Sequence, residues 1–525
     1  MDSKININSS YSEVGKKDSF IDRHIGPSDN EINSMLTSLG YSDLEQLIQA
    51  TVPNQILLDV PVDLDAPMDE QEALSFLDSK ISQNDLFKSY IGMGYSDTIT
   101  PTIILRNILE NPGWYTAYTP YQPEVSQGRL EMLINYQQMI MDLTGLEVAN
   151  ASLLDEGTAA VEAMILAFRQ SKDNRTLFLV SEFCHPQTID LIQTRAKPLG
   201  IEIKVGDLNL LIKEHGNLFF GFIAQYPDTL GSVQDYKMTI SLAKAQKSIS
   251  ILACDILSLT ILKPPGELGA DIAVGTSQRF GVPIGFGGPH AAFISCREEF
   301  KRLLPGRIIG RSIDKNDNLA YRMALQTREQ HIRREKATSN ICTAQSLLAI
   351  VASAYAIYHG PVGLRKIALR VHRLARILSK SLLDMGFVNG NKTYFDTISI
   401  KCPRDKISSI RKKSIKNKIN FRYFSNEQLT ISLDETTNLD DILLILSCFG
   451  SIKKIDLTLV DESISLEIQN IKNDQLRGQD FLTHPVFNVN KSETDLLRYL
   501  KKLEDKDIAL NKSMIPLGSC TMKLN

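Results

Sequence analysis

Cysteine motifs are missing from this 525-residue chain, although it contains seven cysteines. The cysteines are scattered and none forms a CxxC pair, which argues against a zinc ribbon and a disulfide framework and predicts reduced thiols in a cytoplasmic compartment. The net charge of −3 gives no overall attraction to nucleic acid or to acidic membranes. No continuous run of about 18 apolar residues suggests a membrane span. The polar start, MDSKININSSYSEV, resembles neither a secretory signal nor a transit peptide.

Common catalytic and nucleotide-binding signatures are also missing. The sequence has no GxxxxGK[ST] loop, no HExxH helix and no GxSxG turn. The GFGG string at 285–288 does not match GxGxxG, so it is not interpreted as a nucleotide loop. The eight histidines are dispersed. We therefore expect them to be structural, and no metal site is predicted.

Apolar runs alternate with helical stretches in the middle of the chain. The predicted strands cover 176–181, 201–205, 218–225, 249–254, 270–274 and 291–295, and the predicted helices between several of them lie near 158–170, 186–196 and 236–247. A long helix is predicted to begin at Gly128. This alternation indicates an α/β fold with a mostly parallel sheet that is covered on both faces.

The distribution of apolar, polar and loop-forming residues predicts the domain organisation. We expect a disordered N-terminus (1–19), a region of helices and loops (20–127), a large domain (128–345), a smaller α/β domain (346–465), a linker (466–480) and a new segment (481–525). A helix capped by Ser28 or Asp29 should end at Gly40. The string IDLTLVDES (455–463) is predicted as a strand. The ending MIPLGSCTMKLN has no capping signal and no charged tail, so we expect an interrupted longer protein, with a short ordered tail as the alternative.

Two candidate sites lie where strands of such a sheet meet their loops, which is where ligands bind in open parallel sheets. The turn at Gly157 and Thr158 enters a helix whose free N–H groups suit a phosphate, and a plain helix cap is the alternative. Asp255 ends a predicted strand. Its carboxylate could pair with the protonated pyridine nitrogen of pyridoxal 5′-phosphate (PLP), or it could cap the next turn.

A third candidate is the glycine-rich string GTSQRFGVPIGFGGPH at 275–290, which follows a short strand. Folds of this kind often place a Schiff-base lysine at such a point, yet no lysine occurs between Lys263 and Lys301. A Schiff base needs a primary amine, so Gln278 and Arg279 cannot form it.

Two polar and aromatic clusters remain open to more than one interpretation. Trp114, Tyr115, Tyr118 and Tyr121 either pack at an interface or line a substrate pocket. The string RREKATSNICT (333–343) is interpreted as a solvated helix start that is capped by Thr338 or Ser339.

Several long strings resemble one family. FIDRHIGP (20–27), GMGYSDTITP (92–101), NPGWYTAYTPYQPE (111–124), RREKATSNICT, FLTHPVFN (481–488) and MIPLGSCTMKLN (514–525) are similar to glycine decarboxylases, the P-proteins of the glycine cleavage system. The resemblance runs from about residue 20 to the last residue. It implies a fold type I PLP-dependent transferase, with PLP-dependent loss of CO₂ from glycine and transfer of the aminomethyl group to the lipoyl arm of the H-protein. The T- and L-proteins are implied as further partners.

The resemblance also implies that family members consist of two homologous halves. This chain matches the first half and the opening of the second, whose PLP lysine lies in a His-Lys-Thr-Phe string. In this chain, Gln278 occupies the position of that lysine, and Asp255 corresponds to the aspartate that pairs with the pyridine nitrogen. Gly157 and Thr158 resemble a degenerate phosphate loop. The chain is therefore expected to be a fragment without a Schiff-base lysine that is inactive alone, and to form a homodimer or pair with the second half.

Further site residues are implied by the same resemblance. Tyr115, Tyr118, Tyr121 and Glu124 are expected to reach the active site from the first half. Ser519, Cys520 and Thr521 are expected to lie near glycine or PLP, whereas Lys523 receives no role. The alternative is a non-catalytic pseudo-subunit that supports a separate lysine-bearing chain. An independent PLP enzyme with another substrate is disfavoured because the lysine is missing.

Overall fold

The architecture was derived from a computed structural model that describes residues 20–514, except 25, 59, 61, 118, 172–173, 289, 329, 338–340 and 342–343. Contacts divide the described residues into two compact units, one comprising 20–86 and the other comprising 87–514. The second unit runs through the predicted boundaries at 345, 465 and 480. The predicted division into a large domain, a smaller α/β domain and a linker stays a prediction.

The described part of the first unit is helical. It contains α1 (Ile21–His24), α2 (Asp29–Leu39), α3 (Leu44–Thr51) and α4 (Glu70–Ile81). The predicted start and end of α2 are confirmed: Ser28 and Glu31 form a reciprocal capping box, and Gly40 ends the helix at a φ of 83°. Apolar side chains of these helices stay exposed, since α3 and α4 bury none of their residues.

A seven-stranded sheet forms the centre of the second unit. Its strands are β2 (Val148–Ala149), β3 (Leu177–Ser181), β4 (Glu202–Gly206), β5 (Phe219–Tyr226), β6 (Ile249–Asp255), β7 (Ile272–Thr276) and β8 (Ala292–Cys296), in the order β2-β8-β7-β6-β5-β3-β4. Strands β4, β3, β5, β6 and β7 are parallel, and β8 and β2 are antiparallel. All six predicted strands are present. Every residue of β5 is buried, as expected for a strand covered on both faces.

Helices cover this sheet and connect its strands. They are α5 (Thr102–Ile104), α6 (Pro112–Tyr115), α7 (Gln127–Thr144), α8 (Glu156–Gln170), α9 (Pro186–Ala196), α10 (Leu208–His215), α11 (Lys237–Ala245), α12 (Pro265–Leu268) and α13 (Gln330–Arg333). A two-stranded antiparallel ribbon, β9 (Ile308–Ile313) and β10 (Leu319–Ala324), lies beside it. The long helix that was predicted from Gly128 is α7.

Helix α14 (Ser346–Asp384) joins the two sheets and is broken at Gly360, where φ is 61°, next to Pro361. By length and composition alone it could cross a membrane, which differs from the expectation drawn from continuous apolar runs. However, 61% of its apolar window is buried inside the protein. Such burial is typical of a core helix.

A smaller four-stranded sheet follows, with the order β1-β12-β13-β11. Its strands are β1 (Lys88–Tyr90), β11 (Thr397–Lys401), β12 (Ile419–Ser425) and β13 (Gln428–Ser432), and the helices around it are α15 (Arg404–Lys416), α16 (Leu439–Phe449) and α17 (Leu457–Glu462). The strand predicted at 455–463 is wrong, because α17 occupies it. The carboxylate of Asp456 caps this helix through Thr458 N and Leu459 N, and Leu457 and Val460 face the core.

The segment after α17 packs closely on the large domain. It carries α18 (Val486–Val489) and α19 (Glu493–Glu504). Helix α19 lies against α7 so closely that a Cβ at Gly128 would be 2.0 Å from the Leu503 carbonyl oxygen. Within the predicted linker, Ile471 and Gln475 are buried. This segment is therefore part of the second compact unit.

Candidate functional site

A cavity of about 60 Å³ lies at the carboxyl ends of β5, β6 and β7. Gln225, Asp255 and Thr276 reach it from these three strands. The loop at 92–96 and the small-domain residues Asp396, Thr397 and Ser432 close it from other sides, as part of a lining that also includes Glu156, His185, Asp228, Thr229, Cys254 and Arg279. This is the edge of the sheet at which the sequence predicted a site.

Arg279 forms ion pairs with two carboxylates of the cavity wall. Its Nη1 donates to Asp255 Oδ2 at 2.7 Å and to Asp396 Oδ2 at 2.5 Å. Burial opposes the charged form of Arg279, but the two carboxylates hold the pKa of its guanidinium above the ordinary value. Burial raises the pKa of Asp255, and Arg279 opposes that rise. One buried cation is therefore shared by two carboxylates.

Gln278 is not among the described residues that line the cavity. Its side chain is fully buried, and Nε2 donates to the carbonyl oxygens of Ser96 and Val282 at 2.7 and 2.8 Å. Its Oε1 accepts from Ser96 N at 3.3 Å. The amide thus connects the loop at 92–101 to the sheet edge. Both its N–H₂ group and its oxygen atom have hydrogen-bond partners there.

The predicted phosphate turn is a helix start that has a carboxylate cap. Asp155 is the N-cap of α8, and its Oδ1 accepts from Thr158 N at 2.7 Å. Glu156, rather than Gly157 or Thr158, lines the cavity. Burial raises the pKa of Glu156 to about 8, with a further contribution from Asp255. The first turn of α8 therefore already carries two acidic side chains.

A second polar cluster connects the two sheets beside the cavity. His185 Nδ1 lies 2.9 Å from Thr229 Oγ1, and Arg422 Nη1 donates to the carbonyl and hydroxyl oxygens of Thr229 at 2.5 and 2.7 Å. Burial, with Arg422 nearby, lowers the pKa of His185 to about 3. His185 is therefore neutral at ordinary pH.

The structure does not bring the predicted tyrosine segment to this cavity. Tyr115 and Glu124 are exposed, and neither these two nor Tyr121 belongs to the described lining. Tyr121 instead packs under Arg307, whose guanidinium carbon lies 4.0 Å from the ring centroid and whose Nη2 donates to the phenol oxygen. Tyr118, Ser519, Cys520 and Thr521 lie outside the described residues, as do Thr338, Ser339, Asn340 and Cys342.

Several residues of the cavity were missed from the sequence. Arg279 was considered only as a residue that cannot form a Schiff base, and Glu156, His185, Asp396 and Arg422 received no role. Two signals were available: Arg279 directly follows Gln278, and Glu156 directly precedes the predicted turn at Gly157 and Thr158. His185 and Asp396 come from distant elements, as does Arg422 beside the cavity, so no spacing pattern links them.

Comparison with known proteins identifies the family. The family model described as "Glycine cleavage system P-protein" matches residues 22–449. A glycine dehydrogenase (decarboxylating) from Pelagibacter ubique is 55% identical over 509 residues, which are 96% of this chain and 52% of that protein. One from Stutzerimonas stutzeri is 53% identical over 517 residues, covering 98% of this chain and 53% of the relative. The chain spans about half the length of these curated relatives.

Solved structures agree with this assignment. The crystal structure of glycine decarboxylase (P-protein) of the glycine cleavage system, in inhibitor-bound form, aligns with a TM-score of 0.73 and 32% identity, covering 81% of this chain and 98% of that chain. A C-DES variant with glycine covalently linked to the PLP cofactor aligns with a TM-score of 0.51 and 13% identity, covering 69% and 97% of the two chains. The second likeness shows the fold alone, which is the predicted fold type I of PLP-dependent enzymes. The chain belongs to the P-protein family of the glycine cleavage system.

Proposed function

We propose that this chain is the first half of a glycine decarboxylase and supports a second half that carries the chemistry. In the complete protein, PLP bound by the second half would drive loss of CO₂ from glycine, and the aminomethyl group would pass to the lipoyl arm of the H-protein. The T- and L-proteins would be further partners, in the cytoplasm. The main observation in support of the part that concerns the present chain is the pairing of Arg279 with both Asp255 and Asp396.

The residues of the cavity do not fit PLP. A protonated pyridine nitrogen needs a carboxylate partner, and Asp255 already faces the guanidinium of Arg279 at 2.7 Å. Two cations would compete for the same oxygen atoms. The cavity volume of about 60 Å³ is also small, whereas pockets for ligands larger than a few atoms usually measure roughly 300–1,000 Å³.

The attachment points for PLP support the same conclusion. Gln278 stands where a lysine would be needed, and its amide cannot form a Schiff base. At the start of α8, the Asp155 carboxylate occupies the N–H of Thr158, so a phosphate there would meet a negative charge. We therefore propose that this half binds no PLP and has no activity alone.

Exposed surfaces support a role in assembly. Helices α2, α3 and α4 leave large apolar side chains exposed, including Leu39, Leu44, Leu74 and Phe76. A contiguous apolar patch marks an interaction site, and we propose that these side chains form one. We propose that it contributes to pairing with the second half or with a second copy of the chain. The predicted contributions of Tyr115, Tyr118, Tyr121, Glu124, Ser519, Cys520 and Thr521 to the complete active site remain part of this proposal.

A borohydride experiment tests the proposal. The purified chain is incubated with PLP, reduced, digested and analysed by mass spectrometry, with a full-length relative that has both halves as the positive control. We expect a stoichiometric pyridoxyl-lysine in the relative and none in this chain, because no lysine lies between Lys263 and Lys301, around the end of β7. A stoichiometric adduct at a defined lysine of this chain, together with glycine turnover, would overturn the proposal.

The alternative is a pseudo-subunit that supports a separate catalytic chain, and the neutralised cavity is compatible with it. Mixing this chain with a separately expressed second half distinguishes the two cases. A pseudo-subunit should form a stable, active complex with the separate half. The first half of a fused protein should recover little activity unless the two halves are covalently linked.

A further inference from the structure

The segment between α3 and α4 carries a regular row of exposed apolar side chains. None of the described residues of 57–69 belongs to a helix or strand. Apolar residues recur there at every second position, and positions 59, 63 and 65 between or beside them are aspartates. In an extended chain, a period of two places these two kinds of side chain in separate rows. The apolar row is at least 63% exposed at each position and consists of Ile56, Leu58, Val60, Val62 and Leu64.

This arm, residues 56–65, lies in an acidic part of the chain. Residues 24–79 contain eleven aspartates and glutamates and no lysine or arginine. Because the whole chain has a net charge of −3, the residues outside 24–79 carry a net charge of +8. A surface that binds the arm has to combine apolar side chains with positive charge. The chain itself has an excess of positive charge outside 24–79.

A groove of about 510 Å³ in the second unit has this combination. One of its walls is α14 directly after the break at Gly360, and the other includes the segment 480–483. Val362 and Leu369 are 60% and 39% exposed, so the apolar part of the groove is open to water. The apolar residues of the lining are Pro361, Val362, Leu369, Phe481 and Leu482.

Two cations lie among these apolar residues. Arg365 and Lys366 are on α14 between Val362 and Leu369, and Asp480 is the one acidic residue of the described lining. Val362 and Leu369 are seven residues apart on a helix, which corresponds to about 10 Å. Apolar side chains of an extended arm recur about every 7 Å. Two neighbouring side chains of the apolar row therefore fit along the groove.

We propose that this chain forms a two-fold symmetric dimer in which the arm of each copy occupies the groove of the other copy. The apolar row of the arm covers Val362 and Leu369, and the aspartates of the arm approach Arg365 and Lys366. One contact then removes two exposed apolar surfaces from water. Each copy contributes ten residues of the arm and ten of the groove. Each side therefore reaches the lower end of the roughly 20–30 residues of a standard interface.

Sedimentation velocity of the 525-residue chain tests the dimer, whose fraction should rise with protein concentration. Leu64→Asp should raise the dimer Kd at least about a hundredfold, because each of the two arms loses the burial of one leucine, worth about tenfold or more. Leu210→Asp is the control, since it makes the same change at an exposed leucine of α10, and it should leave the Kd unchanged. A monomer at every concentration up to about 100 μM, or equal Kd values for the two variants, would refute the proposal.

Charge reversal identifies the groove as the binding surface. Lys366→Glu places an anion near the aspartates of the arm and should raise the dimer Kd about tenfold. Adding Asp63→Lys to this variant restores opposite charges and should recover most of the affinity. Both positions are exposed, and circular dichroism verifies that the variants are folded. An unchanged Kd for Lys366→Glu, or no recovery in the double variant, would disprove the assignment of the arm to this groove.

This inference rests on the proposed role of the chain in assembly, and the two proposals fail in different ways. A pyridoxyl-lysine in this chain would contradict the proposed absence of PLP, whatever the state of association. A chain that takes up no PLP and stays monomeric would contradict only the exchange of arms.

Discussion

Two buried arginine–aspartate clusters of this protein differ in how completely they are matched. Arg129 and Asp507 form the first. Asp507 accepts from Arg129 Nε at 2.7 Å and from the backbone N atoms of Gly128 and Arg129 at 2.7 and 3.1 Å. In the second cluster, Arg279 Nη1 donates to both Asp255 and Asp396. Its Nη2 has no hydrogen-bond partner among the described residues. The first cluster closes the fold, whereas the second surrounds a space.

The positions of the clusters explain the difference. Asp507 caps the start of α7, and Arg477 donates to the last carbonyls of the same helix, at Asp142 and Leu143. The segment 477–507 therefore matches both ends of the helix dipole. Arg279 instead lies just after β7, where it borders the cavity. The first pair therefore closes the fold, whereas the second lies beside an open space.

The largest effect is expected from Asp507→Ala, which breaks the first cluster. It leaves the buried Arg129 charge and two backbone N–H groups without their carboxylate, which should cost about 3–5 kcal/mol. Urea denaturation followed by circular dichroism measures the loss. The control is Asp505→Ala, which removes an exposed carboxylate paired with Lys501 and should hardly move the midpoint. Equal midpoints for the two variants would show that the buried pair does not hold the segment.

Arg279→Met should have the next largest effect, about 2–4 kcal/mol at neutral pH, because it leaves two carboxylates facing each other. Without the cation, Asp255 loses the charge that opposes the burial-driven rise of its pKa, so that pKa should rise further in the folded state. The deficit should therefore shrink as the pH falls and Asp255 is protonated. Urea midpoints at pH 5 and pH 8 measure this dependence.

The control for Arg279→Met is Arg297→Met. Arg297 is more exposed and lies 3.5 Å from Glu147 and 3.8 Å from Asp271. It should lose at most about 1 kcal/mol. A pH-independent deficit in Arg279→Met would indicate lost packing rather than lost charge pairing.

Arg477→Met tests the other end of α7. The guanidinium donates to the carbonyl oxygens of Leu259 at 2.7 Å and Leu143 at 2.6 Å, and burial lowers the pKa of Arg477 to about 10. Losing these bonds should cost about 1–3 kcal/mol, as measured by thermal unfolding. Arg498→Met, at an exposed position of α19, is the matched control. A loss of the same size in both would contradict the capping role.

The smallest effect is expected from Glu156→Gln, and it depends on pH. Burial raises the pKa of Glu156 to about 8 in the folded protein, from an ordinary value of 4.5. The folded state then binds more protons than the unfolded state between these two values, so this group lowers stability as the pH rises through that window. The variant should gain about 2 kcal/mol over the parent at pH 6 and little at pH 4, as measured by urea denaturation at the two pH values. A gain that does not change with pH would show that Glu156 is ionised in the fold.

Apolar runs predicted six of the seven strands of the large sheet, because strands buried on both faces, such as β3 and β5, need apolar side chains at most positions. The two-residue strand β2 was not predicted. Asp255 and Gln278 were placed at the sheet edge by the same reasoning. The helix α17 was missed because the run at 455–463 is short, and the Asp456 cap decided its conformation. The close packing of 481–514 on α7 had no sequence signal, since it depends on Gly128 meeting Leu503.

Periodicity along the sequence was enough to predict the α/β class and most strand positions, and the resemblance of long strings predicted the family. The absence of lysine between Lys263 and Lys301 can be read directly from the sequence. Tertiary structure alone revealed that Arg279 joins Asp255 to Asp396, that Gln278 turns away from the cavity, and that the remaining space is small. The reason is physical. Periodicity and propensity act between neighbours along the chain, whereas ion pairing and cavity shape depend on atoms a few ångströms apart in space, which here belong to segments far apart in sequence.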